Sequence, residues 1–116
     1  MTGVQTCAFR SIRETDPSKA IKLCLEAIAL SHQLGYHKGV CRASGSLGSI
    51  YYRRGDFVKA LEYSIEALKV SEKIGDRLEE ASSLNCIAGV EYEEKAFSQS
   101  LNHLKKALAK IGRAHV

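Results

Sequence analysis

The sequence of 116 residues contains a single proline, Pro17, and no tryptophan. Because proline interrupts helices in their interior, this scarcity leaves room for long helices over the rest of the chain. No apolar run approaches the roughly 20 residues that a membrane-spanning helix needs. The composition therefore favours a helical chain, and we expect no membrane segment within these residues.

The sequence also has no basic stripe and no paired cysteines. Its 17 Lys and Arg against 13 Asp and Glu give a net charge of +4, with both signs interspersed. Nucleic-acid binding usually requires clustered basic side chains, and zinc sites require cysteines at short spacing. The four cysteines are instead scattered, at Cys7, Cys24, Cys41 and Cys86. We expect small buried thiols in a reducing compartment, no nucleic-acid partner, no metal and no cofactor.

Both ends of the chain resemble translations of one sequencing-adapter oligonucleotide. Residues 1–11 read MTGVQTCAFRS, and residues 111–116 read IGRAHV. The alternative is an ordinary helical start and a frayed tail. Sequence of adapter origin has to be excluded from reasoning about fold and function. We therefore expect the folded domain to occupy residues 12–110 and the natural protein to continue beyond both ends.

A repeat of 40 residues organises this central segment. A shift by that interval aligns residues 16–35, DPSKAIKLCLEAIALSHQLG, with residues 56–75, DFVKALEYSIEALKVSEKIG. The same shift aligns 49–61 with 89–101 and superimposes Tyr52 on Tyr92. Repeats of this length typically correspond to one supersecondary unit that stacks on its neighbours.

Each unit reads as two helices. After Asp56, apolar or small residues recur at the i, i+3, i+4, i+7 spacing of one helical face. Gly35, Gly55 and Gly75 stand where helices should end, and Asp76 can cap the helix that follows it. The predicted helices span residues 17–34, 38–54, 57–74, 77–94 and 97–110.

The middle unit carries a recognisable motif. Its residues match an L-G, Y, G, Y/F, A, A pattern in register, at Leu47-Gly48, Tyr51, Gly55, Phe57, Ala60 and Ala67. With this pattern, residues 12–110 resemble the tetratricopeptide-repeat family. The resemblance implies an all-α, right-handed superhelix, or solenoid, of stacked antiparallel hairpins. It divides the chain into a partial repeat at 12–36 and repeats at 37–76 and 77–110.

The length of the repeat indicates the kind of protein from which the chain comes. This 40-residue form, with Ile-Gly-Asp before the next helix, is similar to arrays in bacterial signalling proteins. Such arrays are often joined to sensor kinases or transcription regulators, and similar arrays occur in adaptors that bind regulators of G-protein signalling. The last unit departs from the pattern at Glu91, Lys95 and Ser100, which predicts either altered packing or an interface.

No set of residues in the sequence indicates catalysis. His103 stands alone, and the acidic cluster Glu91, Glu93 and Glu94 reads as a solvated face that interacts with Lys95. We find no nucleophile, base and orienting group at usable spacing. The sequence therefore predicts a protein that is not an enzyme.

The helix sides opposite the apolar faces are the predicted binding surface. In the family that the sequence resembles, these sides line a concave groove in which peptides lie. The predicted partner-binding residues are Arg42, Ser49, Tyr52, Arg53, Asn85 and Tyr92. The resemblance implies a scaffold for a protein or peptide, and the two arginines favour an acidic one. The alternative is a structural spacer or self-association module. We expect a cytoplasmic location or, alternatively, the periplasmic part of a membrane-anchored sensor.

Overall fold

The computed structural model describes residues 17–115, which form five α-helices and no strand. In chain order these are α1 (Pro17–Leu34), α2 (His37–Arg53), α3 (Phe57–Ile74), α4 (Arg77–Glu93) and α5 (Phe97–His115). The predicted boundaries are confirmed to within one residue except at the end of α5. That helix was predicted to end at residue 110, yet it continues to His115 because neither a proline nor a left-handed residue interrupts it. The predicted artefact at residues 1–11 lies outside the described residues.

The helix ends are set by local chemistry. Gly75 closes α3 with a φ of 72°, in the left-handed region that glycine adopts without steric cost. The Asp56 carboxylate accepts a hydrogen bond from the Lys59 backbone N–H at 3.3 Å, which caps α3. Asp76 caps α4 in the same way, accepting from the Glu79 N–H at 3.2 Å. Each cap satisfies one of the backbone donors that a helix leaves unpaired at its start.

The helices pack as stacked hairpins. α2 packs against α3 and α4 against α5, and the connections of two or three residues between helices make sequential helices antiparallel. α1 packs on α2, α3 packs on α4, and α2 also contacts α4. The two full units therefore stack on each other, which confirms the prediction of an all-α solenoid.

The core explains why the motif needs small residues. Leu47 and Ala60 are fully buried in one cluster with Tyr51 and Val90. A Cβ added at Gly48 would lie 2.5 Å from the Ser64 Oγ and 3.4 Å from the Ala60 carbonyl oxygen, so any larger residue there would force Ser64 to move and crowd the backbone of α3. The small residue at Gly48 thus sets the close approach of the two helices in this hairpin.

The last unit keeps the packing of the middle unit with different chemistry. Tyr51 and Tyr63 stack with ring centroids 5.7 Å apart. Their equivalents 40 residues later, Glu91 and His103, instead make a polar contact between the Glu91 Oε1 and the His103 Nδ1. The Glu91 side chain is only 15% exposed. The prediction of an isolated His103 is therefore wrong, and so is that of a solvated Glu91, because α5 folds back over α4 and covers Glu91. Glu93 and Glu94 are exposed, as predicted.

A second polar pair and a hydrogen bond complete the contact between α4 and α5. The Lys110 Nζ lies 3.5 Å from the Glu80 Oε2, at positions where the middle unit has Val40 and Val70. The Ser100 Oγ donates to the Ala88 carbonyl at 2.8 Å. Two departures of this unit from the repeat pattern, Glu91 and Ser100, therefore have polar partners across the contact between α4 and α5.

Candidate functional site

A groove of about 480 Å³ runs between α2, α4 and α5. Its volume lies within the range of ligand-binding clefts. α2 contributes one wall, α4 the floor and α5 the other wall. The lining residues are Ser49, Tyr52, Arg53, Ser82, Asn85, Cys86, Ala88, Gly89, Tyr92, Ser100 and Leu104.

Five of the six residues predicted from the sequence line this groove. They come from corresponding sides of α2 and α4, namely Ser49, Tyr52, Arg53, Asn85 and Tyr92. Arg42 is exposed and does not line it. Because Arg42 precedes Ser49 by seven residues, it lies about 10 Å farther along α2. The structure therefore does not bring Arg42 and Arg53 together in one basic patch.

The two tyrosines that share one repeat position have different surroundings. Tyr52 packs on the next unit: a Cβ added at Gly89 would lie 3.2 Å from its ring. Its hydroxyl lies 3.5 Å from the Glu93 carboxylate, to which it donates. Burial raises the pKa of the Tyr52 hydroxyl, and the charge of Glu93 raises it further. Tyr92 is 61% exposed and makes a T-shaped contact with Phe97, with ring centroids 5.3 Å apart.

The electrostatics of the groove are mixed rather than uniformly basic. Arg53 is the cation among its lining residues and is exposed. Glu93 places a negative charge beside Tyr52, the residue next to Arg53 in the chain. Asn85 is exposed and offers an amide donor and an amide acceptor toward the groove. These groups suit the backbone and polar side chains of a peptide.

Six lining residues were not among those predicted from the sequence, namely Ser82, Cys86, Ala88, Gly89, Ser100 and Leu104. Ala88, Ser100 and Leu104 line the groove because α5 folds against α4, and no local pattern encodes that approach. Cys86 is half-buried and lines the groove, so the prediction of a buried thiol is wrong there. Cys41 is fully buried as expected, and its Sγ lies 3.5 Å from the Ala67 carbonyl.

Within residues 17–115, no group of three or more His, Cys, Asp or Glu side chains is arranged to hold a metal ion. Over the same residues, no helix combines the length and the apolar character that crossing a bilayer demands.

Comparison with known proteins assigns the family. The model of the tetratricopeptide repeat matches residues 12–73 and 39–110, two overlapping segments that together cover most of the chain. A curated relative is tetratricopeptide repeat protein 29 of Trypanosoma brucei brucei (strain 927/4 GUTat10.1), 26% identical over 97 residues. That alignment covers 84% of this chain and 20% of the relative, so the chain spans about a fifth of the relative's length. No solved structure matches the chain significantly. The chain belongs to the tetratricopeptide-repeat family, whose repeats generally mediate interactions between proteins.

Proposed function

We propose that this chain is a scaffold segment that binds a peptide or a partner domain in the groove between α2, α4 and α5. The observation that carries the proposal is that five residues on matching sides of two successive units line one groove. Tyrosine side chains offer a large contact area with few rotatable bonds, and Asn85 can hold a peptide backbone through its amide. A groove of only two units is short, so we expect micromolar affinity, on the order of −8 kcal/mol.

The preferred peptide is acidic, and the proposal places its acidic residue near Arg53. Charge attraction there speeds association and weakens as salt screens it. The Glu93 carboxylate, which lies beside Tyr52, repels the same acidic peptide and so weakens its binding. The bacterial signalling context and the cytoplasmic location stay predictions; the one curated relative named above comes from a trypanosome.

Selection from a displayed peptide library, followed by titration of a selected peptide, tests the groove. Asn85→Ala and Tyr92→Ala should each weaken binding at least tenfold, since both side chains are exposed in the groove. Asn102→Ala and Tyr36→Ala are matched controls, because both residues are exposed and neither lines the groove. Their affinities should equal that of the wild type.

A pair of charge variants tests the preference for acid. Arg53→Gln should weaken an acidic peptide and Glu93→Gln should strengthen it, with both effects shrinking as salt rises. Equal affinity of the wild type, Asn85→Ala and Tyr92→Ala would exclude the groove as the site. If no library peptide binds while sedimentation shows a dimer, the chain is the alternative self-association module.

A further inference from the structure

The turns inside the two full units carry opposite charges at equivalent positions. Arg53 and Arg54 stand at the end of α2, and Glu93 and Glu94 take their places 40 residues later, at the end of α4. All four residues are exposed. The backbone is nearly the same at both turns, with φ −81° and ψ −6° at Arg54 against φ −85° and ψ 6° at Glu94. The opposite charges therefore project from matching points of the two turns, and we call these four residues the charged edge.

The two halves of the charged edge are neighbours. α2 and α4 contact each other and run parallel, because each is antiparallel to α3. The Tyr52 hydroxyl at the end of α2 lies 3.5 Å from the Glu93 carboxylate at the end of α4. Within the part of the chain that the structure describes, none of the four residues forms an ion pair. The charged edge thus has a positive half and a negative half side by side, and neither is neutralised by an ionic partner.

The stability of α4 does not account for the acidic half. The last turn of a helix favours basic side chains, because the macrodipole places partial negative charge there. Arg53 follows this rule at the end of α2, whereas the last turn of α4 holds no basic residue and is followed by a second glutamate, Glu94. Glu93 and Glu94 therefore lie where their own helix disfavours them, which points to a role outside that helix.

A surface with one positive and one negative half is complementary to a second copy of itself. A two-fold axis in the plane of the charged edge, perpendicular to the direction in which the units stack, turns one copy end over end. The α2–α3 turn of each copy then faces the α4–α5 turn of the other. Arg54 faces Glu94 of the second copy, and the symmetry repeats this pair, so a single substitution alters two contacts.

The other charged residues of the two turns do not oppose this arrangement. Lys95 is equivalent to Gly55, and Asp56 is equivalent to Ala96, so neither faces a like charge. Lys59, in the first turn of α3, adds a cation to the positive half. With two Arg and one Asp, residues 53–56 carry a net charge of +1, and with two Glu and one Lys, residues 93–96 carry −1. The two turns therefore remain opposite in sign when every charged group in them is counted.

We propose that the charged edge joins two copies of this chain into a two-fold dimer. The interface is confined to the ends of two hairpins, so its area is small and the dimer is weak. Exposed ion pairs contribute little each and are screened by salt, so association is strongest at low ionic strength. The dimer does not depend on the proposed peptide groove, because neither Arg54 nor Glu94 lines it.

Sedimentation equilibrium of the full chain at low salt measures the association constant. Arg54→Glu and Glu94→Arg should each lower it roughly tenfold or more, because each places like charges face to face twice. The double variant Arg54→Glu with Glu94→Arg reverses both members of each pair and should associate within about threefold of the wild type. Recovery in the double variant distinguishes facing charges from a loss of folding, which circular dichroism of each variant also checks.

Two variants at the other ends of the helices are matched controls. Arg77→Glu and Glu72→Arg make the same changes in charge at exposed positions near the end of α3 and the start of α4. Their association constants should stay within about twofold of the wild type. The proposal fails if the wild type is a monomer at low salt, or if both single variants dimerise as the wild type does. It also fails if the folded double variant stays a monomer, because the charges would then not face one another.

Discussion

At the scale of single residues, the 40-residue repeat allows each position to be compared with a natural counterpart. Lys95 is the clearest case: it has a φ of 66°, while its counterpart Gly55 has a φ of 80°. A residue with a Cβ pays about 1–2 kcal/mol for the left-handed conformation. The turn between α4 and α5 therefore stores strain that the turn between α2 and α3 avoids.

Lys95→Gly should stabilise the chain by up to about 1 kcal/mol, because relief of the strain exceeds the added entropy of glycine in the unfolded state. Urea unfolding followed by circular dichroism measures the change. Lys106→Gly is the control, at an exposed position inside α5, and should lower stability by about 1 kcal/mol. Loss of stability in Lys95→Gly as well would show that the turn is not strained by its side chain.

At the scale of helices, α4 and α5 associate through polar pairs where α2 and α3 use apolar ones. Glu80 is 5% exposed as a residue and depends on Lys110 for its charge partner. Removing one member of a buried pair leaves the other charge without compensation, which costs more than the intact pair contributes. The contact between α4 and α5 should therefore tolerate replacement of both residues better than replacement of one.

Lys110→Met should destabilise the chain by about 1–3 kcal/mol, because it leaves the Glu80 carboxylate buried and unpaired. The double variant Glu80→Val with Lys110→Val restores the residues of the middle unit, Val40 and Val70, and should stay within about 1 kcal/mol of the wild type. Thermal and urea unfolding of both variants provide the comparison. If the double variant loses as much stability as Lys110→Met does, the ion pair stabilises the fold more than two valines at these positions would.

At the scale of the whole molecule, stacking of the units buries titratable groups in their neutral forms. Burial raises the pKa of the Cys41 thiol from 9.0 to about 11, with Glu79 as the next cause. Burial also raises the pKa values of Tyr52 and Tyr63. These groups ionise more readily in the unfolded chain. For Cys41, the resulting stability is present below pH 9 and is lost as the pH rises toward 11.

The free energy of unfolding should therefore fall between pH 9 and 11, which urea midpoints measured across that range would show. Cys41→Ala should make the fall smaller, because it removes the thiol while keeping a small side chain. Alanine already occupies the equivalent position in the last unit, at Ala81. If the free energy of unfolding falls equally in the wild type and in the variant, the Cys41 thiol has the same pKa in the folded and the unfolded chain.

The candidate site is only partly readable from the sequence. Helical periodicity alone identifies which residues of α2 and α4 lie on the side opposite the apolar face. Ser49, Tyr52 and Asn85 were predicted as groove residues for this reason. Periodicity does not show where along the helix axis the groove ends, so Arg42 was included although it lies beyond the groove. Nothing in the local pattern indicated Leu104, because its contribution depends on how α5 crosses α4.

By itself, the sequence determined the repeat length, the number of predicted helices and nearly all of their ends. These features depend on contacts within a few residues, such as the left-handed Gly75 and the caps at Asp56 and Asp76. Only the tertiary structure decided that Glu91 meets His103 and that α5 forms a wall of the groove. Both depend on how closely and at what angle two helices approach. That geometry is set by the packing of side chains that are distant in the chain, and local propensity does not encode it.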